Sequence, residues 1–151
     1  MKKYFLLGFI VIAIVLYFIF GGWTISDKIN ITSPAYIYSL DGRTSEKINV
    51  ELMGDFNHKD NGFRGSMKIG NINYSTVLFV PGLNLNSYNG KEKTILGRIF
   101  YDNKSHQYSV LLNKELSDSL NIQYDPKNTL IISSPATNYD QAKQIHQNLN
   151  K

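Results

Sequence analysis

The sequence predicts an α+β fold, mainly β: an antiparallel sheet of about six to seven strands with a C-terminal helix, preceded by one N-terminal transmembrane helix. Three observations carry that expectation. Tyr4–Phe20 is an unbroken apolar run without charge or proline. Residues 47–80 alternate apolar and polar side chains between turn residues, the period of half-buried strands. Tyr139, Ala142, Ile145 and Leu149 recur at helical spacing near the C-terminus.

Taken in order, the apolar run comes first. A helix rising about 1.5 Å per residue crosses a hydrocarbon core of about 30 Å over such a length. Gly21, Gly22 and Trp23 extend it. A secretory signal peptide has a shorter apolar run and a small-x-small cleavage site, and the best cut here, after Gly22, puts Phe20 where a small residue belongs. The run therefore reads as an uncleaved signal anchor, with the lipid bilayer as partner from Tyr4 to Trp23. Lys2 and Lys3 are the only charges before it. Positive residues stay in the cytoplasm, so the expected topology has the N-terminus inside and the C-terminal domain outside. The implied organisation is a cytoplasmic stub (1–3), a single-pass anchor (4–23), a spacer (24–33) and an extracytoplasmic β-rich domain (34–151). Gly8-Phe9 behind a basic start resembles a type IV pilin leader, but Ala13 stands where pilins carry Glu and Gly21-Gly22 stops the helix.

Beyond the spacer, Ala35–Leu40 is aromatic and β-favouring and ends at Asp41-Gly42. In Lys47–Phe56, Ile48, Val50, Leu52 and Phe56 alternate with Asn49, Glu51 and Asp55, with Met53 as an apolar exception on the second face. Asn57–Gly62 is a turn, Phe63–Ile69 a second strand and Ile72–Val80 a third. Gly70-Asn71 between them suits a type II′ hairpin. The expected register sets Ile69 opposite Ile72, Met67 opposite Tyr74 and Phe63 opposite Leu78. Across the longer turn it sets Phe56 opposite Phe63, Leu52 opposite Met67 and Gly54 opposite Gly65. The facing glycines read as a bend or bulge, as room for a large side chain from another layer, or as a place where a ligand comes close.

Pro81–Glu92 is the longest loop candidate, and within it Leu83–Tyr88 reads as an ordered loop or a short edge strand. Lys93–Tyr101 and Gln107–Leu112 read as strands, and Asn113–Leu120 as one short helix opening at Asn113. Asp125–Asn128 is a turn. Thr129–Ser133, with Leu130, Ile131 and Ile132 continuous, suits a strand covered on both faces. Ser134-Pro135 reads as the start of the last helix.

The chain has 151 residues, a formal net charge of +4 and no cysteine. Lys and Arg are scattered, so no nucleic-acid partner is expected. Without cysteine there is no disulfide framework, thiolate metal site or Cys nucleophile. The three histidines have no metal-ligand spacing, and no Gly-x-Ser-x-Gly or Ser-x-x-Lys occurs. No cofactor is expected. Asp55, His58 and Asp60 form the densest polar cluster, but Lys59 breaks its likeness to a calcium loop. Glu51 and Asp55 share a strand face, the expected solvent face. Asn84, Asn86 and Tyr88 offer adaptable recognition groups on the long loop. These six residues, 55, 58, 60, 84, 86 and 88, are the interaction candidates. Composition rich in Asn, Lys and Ile, with the Met-Lys-Lys start and single apolar run, resembles small envelope proteins of low-GC Gram-positive bacteria. That likeness rests on no motif and implies no activity. The expected function is a non-catalytic binding or accessory module at the cell envelope, with an envelope protein or wall polymer as partner. The alternative is an envelope hydrolase acting on cell-wall polymer or peptide.

Overall fold

A computed structural model of the chain describes residues 10–16, 26–42 and 44–151. Residues 10–16 are helical and are called α1. The elements that follow are β1 (Ser26–Ser39), β2 (Ser45–Asn57), β3 (Gly62–Ile69), β4 (Ile72–Phe79), β5 (Asn84–Asn89), β6 (Glu92–Asp102), β7 (Gln107–Leu112), α2 (Lys114–Ser119), β8 (Leu130–Ser134) and α3 (Tyr139–Leu149).

The period-two pattern of β2 and β3 does what elementary pleating demands. Val50, Leu52 and Phe56 of β2 and Phe63, Met67 and Ile69 of β3 turn inward and are buried, while Glu51, Arg64 and Lys68 turn outward. Each strand pairs antiparallel with the next, and β1 pairs with β8, so the sheet closes into an eight-stranded up-and-down barrel. All eight strands contribute side chains to one apolar interior, and Leu116 of α2 joins it with Leu120 and Ile122 to cover one end. At the other end Phe56, Phe63, Phe79 and Tyr101 form an aromatic layer, with Phe63 stacked on Phe79 at 4.9 Å between centroids. An eight-stranded barrel is just wide enough for side chains to fill.

Helix α3 lies on the outside of this barrel. Its Ala142 and Ile145 are buried with Tyr38 and Ile131, and Tyr139 and Leu149 pack beside them, the stripe the spacing predicts. β8 is thus covered on both faces, and all five of its residues are buried.

Four expectations need correction. The fold is a closed barrel of eight strands, not an open sheet of six to seven. The additional strand is β5, which turns only Leu85 and the small Ser87 inward and so carries little hydrophobic signal. Second, β1 starts at Ser26 and takes in most of the stretch read as a spacer. Third, the last helix opens at Asn138, whose side chain accepts from Gln141 N, not at Ser134. Ser134 is buried in β8, where its hydroxyl meets Ser33 and Pro34 O. Fourth, among the described residues no helix is long and apolar enough to cross a membrane. That finding overturns the transmembrane helix and the single-pass localisation. Within the described residues helix α1 covers 10–16. The remainder of the stretch from Tyr4 to Trp23, and Lys2 and Lys3, lie outside the described residues.

The predicted register holds where it can be compared, with one displacement. Phe56 faces Phe63, Leu52 faces Met67, Gly54 faces Gly65, Met67 faces Tyr74 and Ile69 faces Ile72. Phe63, however, faces Phe79, because a bulge between Gly65 and Met67 shifts the β3–β4 ladder. The shift reverses the parity of the end of β4 and turns Leu78 outward beside Arg64. The facing glycines leave no gap. A Cβ on Gly54 would stand 2.6 Å from Gly65 Cα and 2.8 Å from Phe63 Cζ, so the strands and the Phe63 ring already occupy the space.

Candidate functional site

With the interior filled, the candidate site is on the outer wall. A groove of about 790 Å³ runs from the β2–β3 turn across the outward faces of β3, β4, β5 and β6. Strand pairing builds its floor. Arg64 of β3 is opposite Leu78 of β4, and Leu78 is opposite Asn86 of β5. Asn84 is opposite Arg98 of β6. Pleating sends all of these outward together, so side chains distant in sequence become one surface.

The rim is held by backbone bonds. Gly82, at φ +83°, turns the β4–β5 connection. Gly82 N donates to Ile99 O at 2.7 Å, and Ile99 N donates to Leu83 O at 3.0 Å, pinning that connection onto β6. Leu83, 59% exposed, stands above the groove. On the opposite rim, Asn57 Oδ1 accepts from Lys59 N and Asp60 N and shapes the turn that carries Asp60.

Two arginines dominate its electrostatics. Arg98 Nε donates to Gly82 O at 2.7 Å, and its guanidinium lies 5.3 Å from the Phe100 ring centroid. One N–H and one face are used, and the remaining N–H groups are left for other acceptors. Arg64 is exposed and has no ion-pair partner among the described residues, although Asp55 is opposite it on β2. Asp60 is the one carboxylate in the groove lining. Asn86 Nδ2 donates to Asn84 O at 3.1 Å, which sets the amide's orientation, and Asn86 Oδ1 is left buried without a partner.

The six sequence candidates separate here. Asn84, Asn86 and Asp60 converge on the groove. Asp55 is beside it, in register between Lys28 and Arg64. Tyr88 is farther along β5, opposite Lys93. His58 belongs to a different cluster at the barrel end, where its Nε2 is 2.8 Å from Asp27 Oδ2. Asn103 Nδ2 donates to the same oxygen at 3.1 Å, and these bonds, Asn103's first, hold the Asp27 carboxyl below its ordinary range. Tyr101 OH donates to Asn103 Oδ1 at 3.4 Å and lies 3.2 Å from His106 Nδ1. Among the described residues no group of three or more His, Asp or Glu is placed to hold a metal ion.

Sequence reasoning missed Arg64, Leu78, Leu83 and Arg98. Nothing in the sequence sets Arg64 or Arg98 apart from other strand residues. Leu78 read as core, because only the bulge turns it out. It also missed a serine–histidine contact under α3. Ser109 Oγ is 2.7 Å from His146 Nδ1, and Ser133 Oγ donates to Ser109 Oγ at 3.4 Å. Ser109 and Ser133 are fully buried, so this pair fastens the helix to the barrel rather than meeting a substrate. No protein-family model, curated protein or solved structure matches this chain.

Proposed function

We propose that this chain is a non-catalytic binding module that takes its ligand in the outer groove of β3–β6. The observation that supports this reading is the meeting of Arg64, Arg98, Asn84 and Asn86 around the apolar Leu78 and Leu83 in a groove of about 790 Å³. That volume lies within the range of ligand sites, which combine apolar lining with a few directed polar groups. Chain segments or wall-polymer fragments fit such a shallow, rigid-walled surface. A hydrolase would need an acid and a base, or a nucleophile and a base, meeting at one point. Asp60 alone among the lining residues has a carboxylate.

The test is an amide-resolved NMR titration of the full chain with a pool of random pentapeptides and, separately, with soluble wall-glycan fragments. Shifts gathered at residues 64, 78, 84, 86 and 98, with the added molecules chemically unchanged after prolonged incubation, support the reading. Shifts gathered elsewhere overturn it, and conversion of an added molecule to product makes the protein an enzyme.

A further inference from the structure

Resting on that reading, we propose that the groove's ligand is an acidic chain segment in extended conformation, with two carboxylates four residues apart that pair with Arg64 and Arg98. Charge complementarity is the first argument. The groove lining carries two guanidinium groups against the single Asp60 carboxylate. Neither arginine has an ion-pair partner among the described residues, and Arg98 is already oriented by Gly82 O and Phe100. A guanidinium so placed matches a carboxylate with little further loss of side-chain freedom.

Spacing is the second argument. Arg64 on β3 and Arg98 on β6 are separated by β4 and β5. The row from Arg64 runs through Leu78 and Asn86 to Ile95, and Arg98 pairs with Asn84, about two residues farther along, so three strand spacings of roughly 4.8 Å and this offset place the two backbones roughly 16 Å apart. An extended chain rises about 3.4 Å per residue, so positions four apart, about 14 Å, come within reach of the two long arginine side chains. Residues four apart in an extended chain project to the same side, and so does the residue midway between them. The same groove carries the apolar Leu78 and Leu83, which offer a seat for that middle residue. The ligand pattern is therefore acidic–x–apolar–x–acidic. Backbone amides of such a chain also match Asn84 and Asn86, whereas an isolated phosphate uses neither the apolar seat nor the spacing.

The experiment titrates the full chain with the peptide acetyl-Glu-Ser-Leu-Ser-Glu-amide, with its Gln-for-Glu counterpart, and with inorganic phosphate. Amide shifts locate each probe. The expected result is groove binding by the acidic peptide, about tenfold weaker for the Gln peptide and weakened by salt. Arg64→Gln and Arg98→Gln should each weaken the acidic peptide about threefold and leave the Gln peptide unchanged. Arg64 is exposed and makes no ion pair among the described residues, so its variant tests the idea even where Arg98→Gln disturbs the rim. Equal groove binding of both peptides overturns the carboxylate pairing and leaves the groove as a binding site. Phosphate binding as strongly as the acidic peptide overturns the chain-segment ligand in favour of a simple anion site. Absence of groove shifts with every probe overturns this inference, while the broader reading stands or falls on the pentapeptide and glycan titrations.

Discussion

Tyr108 is fully buried, and its hydroxyl has no hydrogen-bond partner, because the nearby Ser33 and Ser134 hydroxyls bond each other at 2.6 Å. Burial pushes its pKa up to about 12, and burial does the same for Tyr38 and Tyr101. These groups are neutral when folded and ionise near 10.0 when unfolded, so the unfolded chain loses protons first as pH rises. Stability is therefore expected to fall as pH climbs above 10.0, with phenolate absorbance appearing together with loss of near-UV circular dichroism. Tyr108→Phe removes an orphaned hydroxyl and should leave stability in urea unchanged or raise it by up to about 1 kcal/mol. Gly65 sits at the other extreme of tolerance. A Cβ there would stand 2.6 Å from Gly54 Cα and closer still to Met53 O, on backbone that has nowhere to move. Gly65→Ala should cost about 3 kcal/mol in urea denaturation. A variant as stable as the parent would contradict the close approach of β2 and β3.

At the scale of the element, α3 is held to the outside of the barrel by its buried apolar stripe and a few specific polar contacts. Its N-terminus is a reciprocal cap: Asn138 Oδ1 accepts from Gln141 N, and Gln141 Oε1 accepts from Thr137 N, each at 3.0 Å. Asn138→Ala should cost about 1 kcal/mol of stability by thermal or urea unfolding. Farther along, His146 lies against Phe100 and meets Ser109, and burial lowers its pKa below 6.5. The unfolded histidine then takes up its proton at higher pH than the folded one, so stability is full above 6.5 and declines as pH falls below it. The same Tm scan on His146→Gln should lose this step and keep the carboxylate-driven loss at lower pH. Persistence of the step in the variant would assign it to a different group.

Viewed whole, the barrel is closed and its inside is occupied by apolar side chains from every strand. Closure removes the unpaired edges of an open sheet and leaves the outer wall and the connections as the surfaces open to a ligand. A consequence follows for ligands. Apolar fluorescent probes that enter hollow barrels are expected to show no saturable, stoichiometric binding to the native chain, and to bind only when it is partly unfolded. Saturable binding to the native state would mean that the interior opens.

Local periodicity makes residues 47–80 legible, because a half-buried strand writes its inner face into the chain one residue in two. It is enough to place Gly54 opposite Gly65 and Leu52 opposite Met67, and the apolar stripe of α3 is equally plain. Turn and loop composition, rather than periodicity, brings Asp55, His58, Asp60, Asn84, Asn86 and Tyr88 forward as interaction candidates. What local pattern cannot carry is long-range pairing. Closure depends on Tyr36–Ser39 meeting Leu130–Ser133, strands about as far apart as the folded domain allows. The pairing of Asn84 with Arg98, and the bulge that turns Leu78 out beside Arg64, depend on register set by the whole sheet. A shift of one residue exchanges inside for outside, so the groove exists only once every strand has found its neighbour.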